Sequence, residues 1–272
     1  IYLTAVNMAE LRKAVDAVLL DITGVLYECG SNGGHPIKSS IAAVRSLKQH
    51  GIPYRFVTNE SQATVRGIVE KLNNFGFEIE CKEIFSPAPV VCKLLQKASG
   101  QRPYLLVHPN VMPEFDGVSC HNPNCVVVGD AVEGFNYENL NKAFRILVAN
   151  KPPILYTLGY GKYYREDGRL TLDVAPFAKA LEYAAGAEPT IVGKPSAMIF
   201  KMALEDLGVE ANRVAMVGDD IESDVGAAQS LGLRGILVKT GKYTKDNLSH
   251  PRVKPDMIVE DLSQFTSMLL NY

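Results

Sequence analysis

The chain has 272 residues, enough for two compact domains with sizeable cores. Hydrophobic residues make up 47% and charged residues 21%, and the net charge is −2, so the composition is that of a globular protein with no basic surface suited to tracking a phosphate backbone; a nucleic-acid partner is disfavoured. Cys29, Cys81, Cys92, Cys120 and Cys125 show no CxxC spacing, which argues against a disulfide framework or a zinc ribbon and fits a reducing compartment.

The opening residues IYLTAVNMAE carry no basic stretch followed by a long apolar one, so no secretory signal is expected, and Met8 offers a natural start. No apolar run is long enough to cross a membrane. Ala17–Leu20 reads as a buried strand ending at Asp21. Ile41, Val44 and Leu47 follow at helical spacing, Tyr54–Thr58 as a second strand, and Val65, Ile68, Val69, Leu72 and Phe75 as a second helix. In the middle, Tyr104–His108, Cys125–Val128 and Ile154–Thr157 are strand-like, with a helix over Tyr137–Leu147. Thr190–Val192 then reads as a strand, Ile199 to Leu207 as a helix, and Val214–Val217, Gly235–Val238 and Met257–Val259 as strands. Strand–helix alternation predicts an α/β fold: a Rossmann-like parallel-sheet core with helices on both faces, formed by residues 1–99 and 188–272, and an inserted α/β domain at 100–187.

Ligands of open parallel sheets bind beyond the carboxyl ends of the strands. There the chain places Asp21-Ile22-Thr23-Gly24, Thr58-Asn59-Glu60-Ser61, Gly193-Lys194-Pro195-Ser196 and Gly218-Asp219-Asp220, with Asp224 close behind. Singly, each has an ordinary reading as a turn, a helix cap or a loop. Together they supply carboxylates, a hydroxyl, main-chain amides and a lysine, an inventory suited to a phosphoryl group and a hard divalent cation. A carboxylate with no serine–histidine pair nearby is a reasonable covalent phosphoryl acceptor.

Other segments are weaker. Gly235 to Lys242 has the wrong glycine spacing for a P-loop, and Tyr243 stands where Ser or Thr should follow the lysine. Gly159-Tyr160-Gly161 lacks the third glycine of a dinucleotide site. Cys120, His121 and Cys125 are poorly spaced for a metal, and His35, His108 and His250 sit in turn-like contexts. Lys162, Tyr163, Tyr164, Arg165 and Asp173 are read equally well as substrate-facing or as solvated.

The segments DITGV, VTNES, VGKPS and VGDDIESD resemble the four motifs of the haloacid dehalogenase superfamily. The length between the second and third is similar to the large cap of the subclass containing bacterial nucleotide-sugar phosphatases and pyridoxal phosphate phosphatase. The stretches DITGVLY, RPYLLVH, NPNCVVV, KALEYA and VKTGK are similar to a branch of that subclass acting on P–N and P–O–P bonds. The resemblance implies an aspartyl-phosphate at Asp21, and Mg²⁺ bound by Asp21, the Thr23 main-chain carbonyl and Asp219, with Asp224 orienting the metal or its waters. It assigns Ile22, Thr23, Thr58 and Asn59 to the phosphoryl group and makes Lys194 the cation that neutralises it. It also implies a cap that selects the leaving group and pairs into a homodimer. The cysteine pattern and the lack of a secretory signal lead separately to an expected cytoplasmic location that leaves nuclear entry open.

Thr23 departs from the pattern. Most phosphatases of the superfamily carry an aspartate there, which protonates the leaving group and activates water, help worth roughly 10²–10⁴ in rate. A threonine hydroxyl is a poor acid. Leaving groups that need no such proton, as in pyrophosphate, imidodiphosphate, phospholysine and phosphohistidine, are therefore expected as substrates. The alternatives are a small phosphomonoester phosphatase, for sugar phosphate or pyridoxal phosphate, and a weakly active phosphate-binding regulatory protein.

Overall fold

The computed structural model describes residues 12–30, 33–166 and 169–270. The N-terminal readings, including Met8, lie outside the described residues, and none of the described helices is long and apolar enough to cross a membrane. In chain order the strands are β1 (Ala17–Leu20), β2 (Tyr27–Glu28), β3 (His35–Pro36), β4 (Tyr54–Val57), β5 (Ile84–Phe85), β6 (Pro103–Leu106) and β7 (Cys125–Val128). They continue with β8 (Leu155–Thr157), β9 (Tyr163–Glu166), β10 (Arg169–Leu172), β11 (Pro189–Ile191), β12 (Val214–Gly218), β13 (Arg234–Val238) and β14 (Met257–Val259).

The chain divides into two compact units. One takes the chain up to Thr58, Val69–Phe85 and from Phe200 onward; the other takes Asn59–Ile68 and Ser86–Ile199. The expected inserted segment, 100–187, falls inside the second unit.

The first unit is built on a six-stranded sheet in the order β14-β13-β12-β1-β4-β5, with every pairing parallel. β1 and β12 are buried at every residue, which requires cover on both faces and explains their unbroken apolar runs. The helix Lys38–Gln49 turns Ser40, Ala43, Val44 and Leu47 inward, at the spacing of one helical face. Ser39 donates from its hydroxyl to Asp261 at 2.7 Å, fastening this helix to the segment that opens the last one, Leu262–Leu270. From β1 the chain proceeds to β4 and β5 on one side and later to β12, β13 and β14 on the other. The point of reversal, beside β1, is where a parallel sheet opens a crevice for ligands.

The second unit holds a four-stranded parallel sheet, β11-β8-β7-β6. Helices Tyr137–Ala149 and Val174–Ala185 cover it through Ala143, Leu147, Leu181 and Ala185, which meet Val126, Val128 and Leu155. Asn136 caps the first helix by accepting from the Asn139 N–H at 2.9 Å, and Asp173 caps the second at Val174.

One strand differs from the sequence reading. Thr190–Val192 was expected in the catalytic-core sheet. The strand there, Pro189–Ile191, pairs instead with β8, opposite Leu155, Tyr156 and Thr157. The helix Val174–Ala185 ends at Gly186 in a left-handed conformation, and so short a connection returns the chain to the strand beside which the helix packs. The hairpins β2–β3 and β9–β10 and the two-residue β5 were not anticipated, being too short for a periodic signal.

Candidate active site

β1 and β12 are neighbours, so their carboxyl ends bring Asp21 and Asp219 together from positions nearly two hundred residues apart. The segment after β12 turns at once into a π-helical stretch, Ile221–Gly226, which carries Asp224. One carboxylate oxygen from each of Asp21, Asp219 and Asp224 lies within 4.8 Å of the others, and all three residues are buried. Among the described residues this is the only such group of metal-ligating side chains.

Each carboxylate is held. Asp21 accepts the N–H of Ile22 at 2.8 Å. Asp219 accepts the N–H of Lys242 on Oδ2 at 2.8 Å. Asp224 accepts the N–H of Asp220 at 3.1 Å. Asp219 Oδ1, however, is buried with no hydrogen-bond partner. Burial, with Asp21 and Asp224 close by, pushes the Asp219 carboxyl well above the usual carboxylate range. A buried acceptor without a donor, inside a cluster of like charges, is costly unless a positive charge enters. The donors are all oxygens, and the residues therefore fit a hard divalent cation.

Thr23 is half-buried, and its hydroxyl donates to the phenol of Tyr27 at 3.1 Å. The Tyr27 ring has the Lys71 ammonium 3.9 Å from its centre. Gly24 has φ +85°, and a Cβ there would collide with the Asp219 carboxylate. Thr58 is buried, with its N–H on the carbonyl of Phe85 at 3.0 Å.

Asn59 and Lys194 belong to the second unit and are joined directly. The Asn59 carboxamide donates to the Lys194 carbonyl at 2.8 Å and accepts the Lys194 N–H at 2.7 Å. Gly193 leaves no room for a Cβ beside Asn59 and the Leu158 carbonyl. Lys194 is 97% buried, an unusual setting for a lysine outside a site.

Lys242 escaped the sequence reading, and Asp220, named there beside Asp219, was given no role. Lys242, in the segment set aside as a poor P-loop, holds Asp219 through its N–H and reaches Asp220 with its ammonium at 3.1 Å. Burial alone would lower the Lys242 pKa, but Asp220, Asp219, Asp224 and Asp21 together hold it above the lysine range. Asp220 accepts the N–H groups of Glu222 and Ser223 at 3.0 and 2.9 Å. Burial alone would raise its carboxyl; Lys242 and these N–H groups keep it low. The doubled aspartate was the available signal.

The set-aside candidates have structural roles. Cys125 is buried, and its thiol is pushed up to about 11 by burial. His108 and His250 accept main-chain N–H groups, and His35 faces Glu28 at the surface.

A profile described as haloacid dehalogenase-like hydrolase matches residues 18–120, and a second, HAD-hydrolase-like, matches 191–265. The phospholysine phosphohistidine inorganic pyrophosphate phosphatase of Danio rerio is 47% identical, over 98% of this chain and 99% of that protein. The chain belongs to the haloacid dehalogenase-like hydrolase family. It is a phosphohydrolase of that family. The Homo sapiens protein of the same name is 48% identical over 95% of both chains. Among solved structures, a 4-nitrophenylphosphatase from Thermotoga maritima has a TM-score of 0.85 at 26% identity, covering 95% of this chain and 98% of that one. Its likeness confirms the haloacid dehalogenase-like fold with a parallel-sheet core.

Proposed function

We propose that this hydrolase cleaves P–N and P–O–P bonds, in the manner of phospholysine, phosphohistidine, imidodiphosphate and inorganic pyrophosphate, through a phosphoaspartate at Asp21 and with Mg²⁺. The carrying observation is the Asp21–Asp219–Asp224 cluster with its unpartnered Asp219 Oδ1. The substrate class is supported by the names of the relatives and by the hydroxyl pair Thr23–Tyr27 at the place of the usual acid.

An Asp21 carboxylate oxygen attacks phosphorus, and an Asp21–O–P bond forms as the P–O or P–N bond breaks. Water then cleaves the acyl phosphate, releasing phosphate and regenerating Asp21. Asp21, the Thr23 carbonyl and Asp219 would hold Mg²⁺, with Asp224 behind them. When bound, Mg²⁺ supplies charge neutralisation and alignment of the phosphoryl oxygens. Ile22, Thr58, Asn59 and Lys194 are assigned to the phosphoryl group by the family resemblance. A phosphate or protonatable nitrogen leaves without a proton from residue 23, so the missing aspartate costs such substrates least.

The inserted segment, 100–187, is proposed to choose the leaving group and to pair two copies of the chain. Exposed Tyr163, Leu170 and Leu172 on the β9–β10 hairpin support the pairing. Five cysteines with no CxxC spacing support residence in the cytoplasm, and the nucleus shares that reducing environment.

The test is phosphate release from imidodiphosphate with Mg²⁺, for wild type beside Asp21→Asn. Release by the wild type alone supports the proposal. No release by metal-loaded wild type, with turnover of p-nitrophenyl phosphate, would make the protein a phosphomonoesterase. Phosphate binding without turnover of either would make it a regulatory protein.

A further inference from the structure

Three consecutive residues touch every carboxylate-bearing segment of the cluster. Thr240 donates its hydroxyl to the Gly24 carbonyl at 2.5 Å, in the loop that carries Asp21 and Thr23. Gly241 has φ +65°, and its missing side chain leaves space that the Asp219 carboxylate and Gly24 fill. Lys242 gives its N–H to Asp219 at 2.8 Å and its ammonium to Asp220 at 3.1 Å. Asp220 in turn caps the π-helical stretch on which Asp224 sits, through Glu222 and Ser223, and its own N–H binds Asp224.

We propose that Thr240-Gly241-Lys242 is a clamp that sets the spacing of Asp21, Asp219 and Asp224 for the cation, with Lys242 as its principal positioning residue. The N–H of Lys242 takes Oδ2 of Asp219 and leaves Oδ1 buried with no hydrogen-bond partner. Its ammonium holds Asp220 on the helix cap, away from the ligand set. The lysine side chain is 65% exposed overall, and its ammonium turns back to tether Asp220.

The inference rests on the cation site proposed above, and the sign of one effect separates positioning from charge. Removing a positive charge beside carboxylates, by itself, draws a cation in more tightly. Loosening the clamp does the opposite. Lys242→Met keeps the stem and the main-chain contact with Asp219 but loses the tether. Thr240→Val keeps the shape and loses the bond to Gly24.

The experiment is Mn²⁺ binding by electron paramagnetic resonance on the full chain, with melting temperatures in cation-free buffer. The expected result is a dissociation constant raised about five- to tenfold in each variant, the scale of one lost hydrogen bond, a broadened bound-Mn²⁺ spectrum, and recovery in Lys242→Arg. Unchanged or tighter binding in Lys242→Met, with wild type binding normally, overturns the clamp alone. Absence of Mn²⁺ binding in the wild type overturns the cation site and the clamp with it. Should Lys242→Met fail to fold, Thr240→Val decides by the same readout.

Discussion

Asn59 grips the main chain of Lys194 with both ends of its carboxamide, donating at 2.8 Å and accepting at 2.7 Å across 135 residues of sequence. A helix-cap reading of Asn59 is thereby replaced: its side chain serves the lysine. Asn59→Leu leaves the Lys194 N–H and carbonyl without partners, at a cost of about 1–3 kcal/mol. Asn59→Asp keeps the acceptor but turns a second carboxylate oxygen on the Lys194 carbonyl. Both variants are expected to melt several degrees lower and to lose phosphate release by about 10²-fold, the scale of a misplaced catalytic group. Wild-type rates in either variant would show that Lys194 needs no such support.

The like charges around Asp219 predict how the protein responds to cations. Mg²⁺ is expected to raise the melting temperature of the wild type, by about 2.7 kcal/mol of stability at a hundredfold excess over its dissociation constant. Asp219→Asn removes one repelling charge. It is expected to melt at or above the wild type in chelator and to gain little from Mg²⁺. Differential scanning calorimetry with and without Mg²⁺ checks both statements, and equal Mg²⁺ stabilisation of the two proteins would place the cation elsewhere.

Thr23→Asp places an acid two residues from Asp21, the proposed nucleophile. Turnover of p-nitrophenyl phosphate and of sugar phosphates is expected to rise about tenfold or more, within the usual yield of general acid–base help. Hydrolysis of imidodiphosphate is expected to change far less. No gain in a folded, Mg²⁺-responsive variant would remove Thr23 as the basis of substrate choice.

Thiol accessibility follows from burial. Cys29, Cys81 and Cys120 are exposed, while Cys92 and Cys125 are buried with their thiols pushed up to about 12 and about 11. The thiolate is the reactive form. Titration of the native protein with an aromatic disulfide reagent at pH 8 is expected to count three thiols, and five in denaturant. A native count of five would contradict the packing around β7.

The parts of the fold that were legible in sequence are those whose local pattern is complete within a few residues. Ala17–Leu20 and Cys125–Val128 are unbroken apolar runs between polar turns, and both strands form over those residues. Asp21, Thr58, Asp219 and Asp224 were visible because each follows or closely trails such a run. Sheet membership was not legible, since Thr190 reads as a strand whichever partner it takes; only the Val174–Ala185 helix packed on β8 decides it. The β9–β10 hairpin carries a signal that was passed over, the Asp167-Gly168 pair between two β-prone runs. Lys242 was hidden for a different reason: it acts on Asp219 through its backbone, and a main-chain N–H leaves no mark in the residue type.

Ala17 pairs in register with Val214, so β1 waits for a partner made almost two hundred residues later. During synthesis its buried face and one hydrogen-bonding edge stand open until the ribosome has produced β12. Asp21, the proposed nucleophile, is thus made well before Asp219 and gains its neighbour only after β12 has been synthesised. A nascent chain halted before β12 would display an apolar, unpaired strand, the kind of surface that chaperones recognise and that aggregates when left uncovered. Pairing of the two strands gates the chemistry, since Asp21 meets Asp219 only when the chain's distant halves have closed.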